Sequence, residues 1–116
     1  MARVVAFIPD LLFGSQVQGA LRAGGHEVEL AVDEPGVRRA LADADVLVVD
    51  LTAEPAQRTS LVQALIGESV QWHARTLVFY SHVEVDTREL AERAGFDLVV
   101  PRSRMAREGA ALVSSL

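Results

Sequence analysis

Two aspartates, a serine and an arginine stand at the ends of apolar runs, where side chains can meet a ligand. Asp50 closes the run Asp45-Val-Leu-Val-Val-Asp50, and Asp10 follows Arg3-Val-Val-Ala-Phe-Ile-Pro9. Ser81 follows Thr76-Leu-Val-Phe-Tyr80, and Arg102 follows Asp97-Leu-Val-Val-Pro101. Short apolar runs bounded by polar residues read as strands buried on both faces of a parallel sheet. In open α/β sheets, ligands gather at the carboxyl ends of the central strands. A carboxylate there can hold a cation or cap nearby backbone N–H groups, and both roles are open for Asp10 and Asp50. A loop serine such as Ser81 can contact an anion or bond its own backbone.

Other chemistry is excluded by composition. The 116 residues include no cysteine, which removes thiol nucleophiles, disulfides and cysteine-based zinc clusters. All 11 basic side chains are arginine, so a mechanism that needs a lysine ammonium is excluded. His26, His73 and His82 are scattered without metal-ligand spacing, and no Ser-His-Asp set is visible. The net charge of −5, with no basic run, argues against a nucleic-acid surface. No apolar stretch reaches membrane-spanning length, and no signal-peptide layout opens the chain, which points to the cytoplasm. The length suits one domain, residues 1–116, with a core of its own.

The elements that must position these side chains follow from periodicity and caps. Phe13, Val17, Ala20 and Leu21 have helical spacing, and Gly24-Gly25 offers the left-handed conformation that ends a helix. Val28–Val32 alternates and reads as an edge strand. Asp33 caps a helix with Pro35 in its first turn and Val37, Ala40 and Leu41 inward, while Arg38-Arg39 forms a solvated face. Beyond Glu54-Pro55 a helix turns Leu61, Leu65 and Ile66 inward, and Gly67 ends or bends it. Asp86 and Glu89 form a capping box for a helix bearing Leu90 and Ala94, which Gly95 closes. Ser103 caps a last helix with Met105, Leu112 and Leu116 on one side. Strands and helices thus alternate, and connections this short must be βα crossovers. The expected architecture is a flavodoxin-like, doubly wound α/β fold, a parallel sheet in the order 2-1-3-4-5. Strands one and three lie at its centre. Asp10 and Asp50 then face each other across the switch-point crevice, with Ser81 and Arg102 on the same edge.

This layout resembles a response-regulator receiver domain along the whole chain. The resemblance rests on an acidic residue after strand one, Asp50 at the end of strand three and a hydroxyl after strand four. It implies that Asp50 falls at the phosphoacceptor position, Ser81 at the hydroxyl position and Asp10 at one of two acidic positions that hold Mg²⁺. The lysine position falls on Pro101 or Arg102. The aromatic position on strand five carries Leu98 or Val99, the usually small residue after the hydroxyl is His82, and the proline after the phosphoacceptor is Pro55, one residue late. Asp10 and Asp50 alone could hold Mg²⁺ only weakly, and an arginine differs from lysine in reach and geometry. These departures imply a degenerate receiver, a pseudo-receiver, that works by binding another protein, is not an enzyme, and is not phosphorylated in the ordinary way.

A rival resemblance is local. Phe13-Gly-Ser-Gln16 is similar to the start of a flavodoxin phosphate loop, which would make the chain a small flavin- or nucleotide-binding protein. Val17-Gln18 stand where that loop expects glycine and threonine, so the expectation is a protein without a cofactor. In receivers the last helix often contributes the partner or dimer surface. Leu112 and Val113, in an apolar stretch after Glu108, are the expected contacts for a homodimer or protein partner.

Overall fold

The run Val46–Asp50 is buried at every position, as a strand in the middle of a sheet must be. Burying its four apolar side chains contributes roughly 6–12 kcal/mol relative to exposure. That offsets the several kcal/mol that placing one carboxylate out of water costs. The computed structural model describes residues 2–68, 72–81 and 84–116. In chain order they form β1 (Arg3–Phe7), α1 (Leu11–Ala23), β2 (Glu27–Ala31), α2 (Glu34–Ala40) and a 3₁₀ turn over Leu41–Asp43. Then follow β3 (Val46–Asp50), α3 (Pro55–Glu68), β4 (Arg75–Tyr80), α4 (Val85–Arg93), β5 (Leu98–Pro101) and α5 (Arg102–Ser114). The five strands pair in parallel in the order β2-β1-β3-β4-β5, the doubly wound architecture that the alternation implied. His82 and residues 69–71 lie outside the described residues.

Side chains leave the sheet alternately on its two faces and build two cores. Val4, Ala6, Val48, Leu77 and Phe79 meet Phe13, Val17 and Leu21 of α1 and Met105, Leu112 and Val113 of α5. Val5, Phe7, Leu47, Val49 and Val78 meet Val37 of α2, Val62 and Leu65 of α3 and Ala91 of α4. The helix faces shift slightly from the expected ones. Ala20 is exposed, and Val62, rather than Leu61 or Ile66, is the fully buried residue at the middle of α3. On α4 the inner face is Thr87 and Ala91, with Leu90 and Ala94 only half-buried. Strand β2 begins one residue earlier than expected and leaves Val32 exposed beyond its end.

Two expected caps are not made. Helix α4 starts at Val85, one residue before Asp86, and its N-terminus has no side-chain cap. Just ahead of that start the Glu84 N–H bonds the Ser81 carbonyl. Helix α5 begins directly after Pro101, so Ser103 lies inside its first turn instead of ahead of it. Three other boundaries behave as composition required, whereas Gly67 is still helical within α3, which is described as far as Glu68. Asp33 accepts the Gly36 N–H at 2.8 Å, and Gly25 and Gly95 take positive φ at the ends of α1 and α4.

The expectation that Leu112 and Val113 form an exposed interface is overturned. Both are buried, at 5% and 2% exposure, on the stripe that packs α5 against α1 and the sheet. An apolar stretch at helical spacing faces the nearest apolar layer, and here that layer is the chain's own core. The outer face of α5 is instead Arg104, Ala106, Arg107, Glu108 and Ala111. His26 joins the same packing. The Ala2 N–H donates to its Nδ1 at 3.0 Å, so Nε2 carries the proton and points at the Ala110 carbonyl and Ser114 Oγ. It is a satisfied core histidine that fastens β1 to the end of α5.

Candidate functional site

The parallel register brings the four sequence-derived residues to one end of the sheet. Asp50 pairs with Phe79 across β3 and β4, and Tyr80 pairs with Pro101 across β4 and β5, so Ser81 and Arg102 each stand one residue beyond the last rung. Phe7 pairs with Val49, which sets the β1–α1 loop bearing Asp10 beside the end of β3. The carboxyl edge therefore carries Asp10, Asp50, Ser81 and Arg102, as the topology demanded.

Asp50 is 3% exposed, and each of its carboxylate oxygens faces a partner. Oδ1 accepts the Thr52 N–H at 2.7 Å and also the Thr52 hydroxyl. The backbone bond is an Asx turn, the local closure that Asp makes readily two residues ahead of itself. Oδ2 faces the Arg58 guanidinium at 3.8 Å. Arg58 Nη1 also donates to the Asp50 carbonyl at 2.8 Å, and its guanidinium lies 5.9 Å from the centre of the Phe7 ring. With only 12% of its side chain exposed, Arg58 is a nearly buried cation on the fourth residue of α3. Burial of this carboxylate is tolerable because hydrogen bonds and an opposite charge replace water.

Asp10 makes a second arginine pair. Its Oδ1 caps α1 by accepting the Leu12 and Phe13 N–H groups, each at 3.1 Å. Its Oδ2 lies 4.0 Å from Nη2 of Arg102, and that guanidinium is centred 4.1 Å from the Phe13 ring. Both partners are about half exposed, which makes this pair the weaker one. The cap role of Asp10 is thus the one seen. Arg102, one residue beyond the end of β5, turns toward the start of α1. Ser81 is half-buried at the end of β4, and its carbonyl holds the Glu84 N–H.

A magnesium ion asks for octahedral oxygen donors and usually one or two carboxylates plus water. At this edge each carboxylate already faces a guanidinium and accepts backbone N–H bonds. Among the described residues no group of three or more His, Asp or Glu comes together as a metal site. The donor set does not fit a divalent cation.

Arg58 was not singled out by the sequence, although a signal was there. Arg58, Val62 and Leu65 share one stripe of α3, so a charge sits on the buried face of an amphipathic helix. The rival phosphate loop does not form. Phe13–Gln16 are helical residues of α1, Phe13 is in the core, and a Cβ on Gly14 would meet Leu30 Cδ1 at 3.0 Å and the Ile8 carbonyl at 3.3 Å. That glycine serves close packing of α1 on the sheet. An open cleft of about 520 Å³ between Arg38, Leu41, Leu65 and Trp72 lies away from the carboxyl edge. No described helix is long and apolar enough to cross a membrane.

Comparison with known proteins bears on the fold. No family model matches the sequence, and no curated protein matches it. Solved structures do match. A response regulator receiver domain protein from Clostridium thermocellum superposes with a TM-score of 0.81 at 15% identity, covering 99% of this chain and 93% of that one. A response regulator from Thermotoga maritima gives 0.79 at 18% identity, over 99% and 96% of the two chains. The receiver domain of a Francisella response regulator gives 0.80 at 14% identity, over 99% and 95%. The chain therefore has the receiver fold, and identities this low carry the fold alone.

Proposed function

We propose that this chain is a receiver-like regulatory domain that acts by contact with another protein and does not use aspartyl phosphorylation as its switch. The observation that carries the reading is the state of Asp50. It stands at the end of the central strand, where a receiver carries its phosphoacceptor, but it is buried and bonded to Thr52 and Arg58. Phosphoryl transfer needs a free carboxylate oxygen and cations placed to stabilise the moving charge. Here the cations serve as permanent partners of the carboxylates. The loss of one such stabiliser typically lowers a rate by roughly a hundredfold to a thousandfold. Two departures in one site place transfer out of reach.

The test treats purified protein with acetyl phosphate and Mg²⁺ and reads the intact mass. No mass increase is expected. Asp50→Asn is expected to retain whatever partner the wild-type chain captures in a pull-down from native lysate. A phospho-adduct removed by Asp50→Asn would refute the reading and make the chain an active phospho-switch.

A further inference from the structure

Arg58 does more than neutralise a buried carboxylate. It closes both ends of the loop between β3 and α3. Its backbone N–H bonds the Glu54 carbonyl at 3.0 Å, and its side chain bonds the Asp50 carbonyl at 2.8 Å. Between those two points Glu54 adopts φ +48°, a left-handed conformation that a non-glycine residue takes at a cost. The loop is therefore held in a strained form by the same residue that sits against Asp50 Oδ2. A dication approaching this carboxylate would meet a guanidinium a few ångström away in a poorly solvated place, where like charges repel strongly. Thr52 occupies Oδ1, so to reach Oδ2 the cation would have to displace Arg58.

We propose that Arg58 is a built-in cation that excludes divalent metal from Asp50 and locks the β3–α3 loop, so that the state of this edge is set without metal. The proposal rests on the receiver-like reading of Asp50, and it concerns this chain's own residues only. Removing the guanidinium leaves a carboxylate at the strand end with one oxygen free of its cation, and metal affinity appears there.

The experiment uses Mn²⁺ as a paramagnetic probe on the ¹⁵N-labelled full chain. In the wild type, millimolar Mn²⁺ is expected to leave the Leu51 and Thr52 amide signals unbroadened. In Arg58→Gln and Arg58→Met the same signals broaden at concentrations at least about tenfold lower, the effect of deleting a like charge beside the ion. The broadening disappears in Arg58→Gln/Asp50→Asn, and Arg58→Lys behaves as wild type because the charge remains. Methionine keeps an unbranched apolar side chain at this position, and amide dispersion reports whether each variant is folded. Wild-type broadening at the same concentration as the variants overturns the proposal, as does folded Arg58→Met without broadening. A second measurement needs no variant at Arg58. Mg²⁺ is expected to leave the wild-type melting temperature unchanged, and a rise that Asp50→Asn abolishes would also overturn it. No partner enters these titrations and no metal enters the pull-down, so either idea can fail while the other stands.

Discussion

The Asp50–Arg58 pair makes a quantitative prediction about stability. At 3.8 Å and an effective dielectric of about 20, two unit charges attract by roughly 4 kcal/mol before desolvation is counted. Desolvation of two nearly buried groups removes much of that gain. Taking away one partner costs more than the net value of the pair, because the other charge stays buried alone. For fully buried pairs that cost is about 3–5 kcal/mol, and the slight exposure of Arg58 places it near about 2–3 kcal/mol here. Arg58→Met keeps an unbranched apolar side chain and deletes the charge. Asp50→Asn keeps the shape and an acceptor for the Thr52 N–H. Each single variant should lose about 2–3 kcal/mol by urea unfolding, and the double variant about 3 kcal/mol instead of the sum of about 4–6, a coupling of about 1–3 kcal/mol. Stabilities that add to within about 0.5 kcal/mol would show that the two groups do not sense each other, and the account of this edge would fall.

Three further outcomes follow from the packing and the surface charges. Leu112→Asp should lose at least about 3 kcal/mol in urea unfolding, because it buries a carboxylate in the α1–α5 core, whereas Ala111→Asp on the outer face should stay within about 0.5 kcal/mol of wild type. Equal, small effects would mean that α5 does not pack as described. Thr59 Oγ1 is buried with no hydrogen-bond partner among the described residues, so Thr59→Val should raise stability by about 1 kcal/mol, and a loss of that size would reveal a hidden partner. The Glu68 carboxyl is held below its ordinary value of 4.5 by a hydrogen bond from Arg38 and by that residue's charge. A carboxyl with a lowered folded-state pKa stabilises above 4.5 and loses that contribution as pH falls through the lower folded value. Any stability difference between wild type and Glu68→Gln at neutral pH should therefore vanish in acid, and a difference that persists there would assign it to something other than the ion pair.

Local pattern was enough to determine the strands, most of the helices and the edge where the polar residues gather. The runs ending at Asp10, Asp50, Ser81 and Arg102 are apolar at consecutive positions, which only a strand covered on both faces can use. Short connections between such strands leave few topologies, so the order 2-1-3-4-5 followed from the chain itself. Helix starts were less certain. Asp33 capped as expected, but Asp86 and Ser103 did not, because α4 already starts at Val85 and α5 directly after the strand end at Pro101, ahead of those side chains. The tertiary structure decided what each apolar or charged residue faces. Leu112 and Val113 read as a sticky outer surface, but the packing of α5 on α1 and the sheet turned them inward. Arg58 is eight residues beyond Asp50 and lay unnoticed on a helix. The docking of α3 brought its guanidinium onto the end of β3. Periodicity reports that a residue is on the inner face of an element, whereas the charge it meets there depends on how two elements pack, and that is not written in either segment alone.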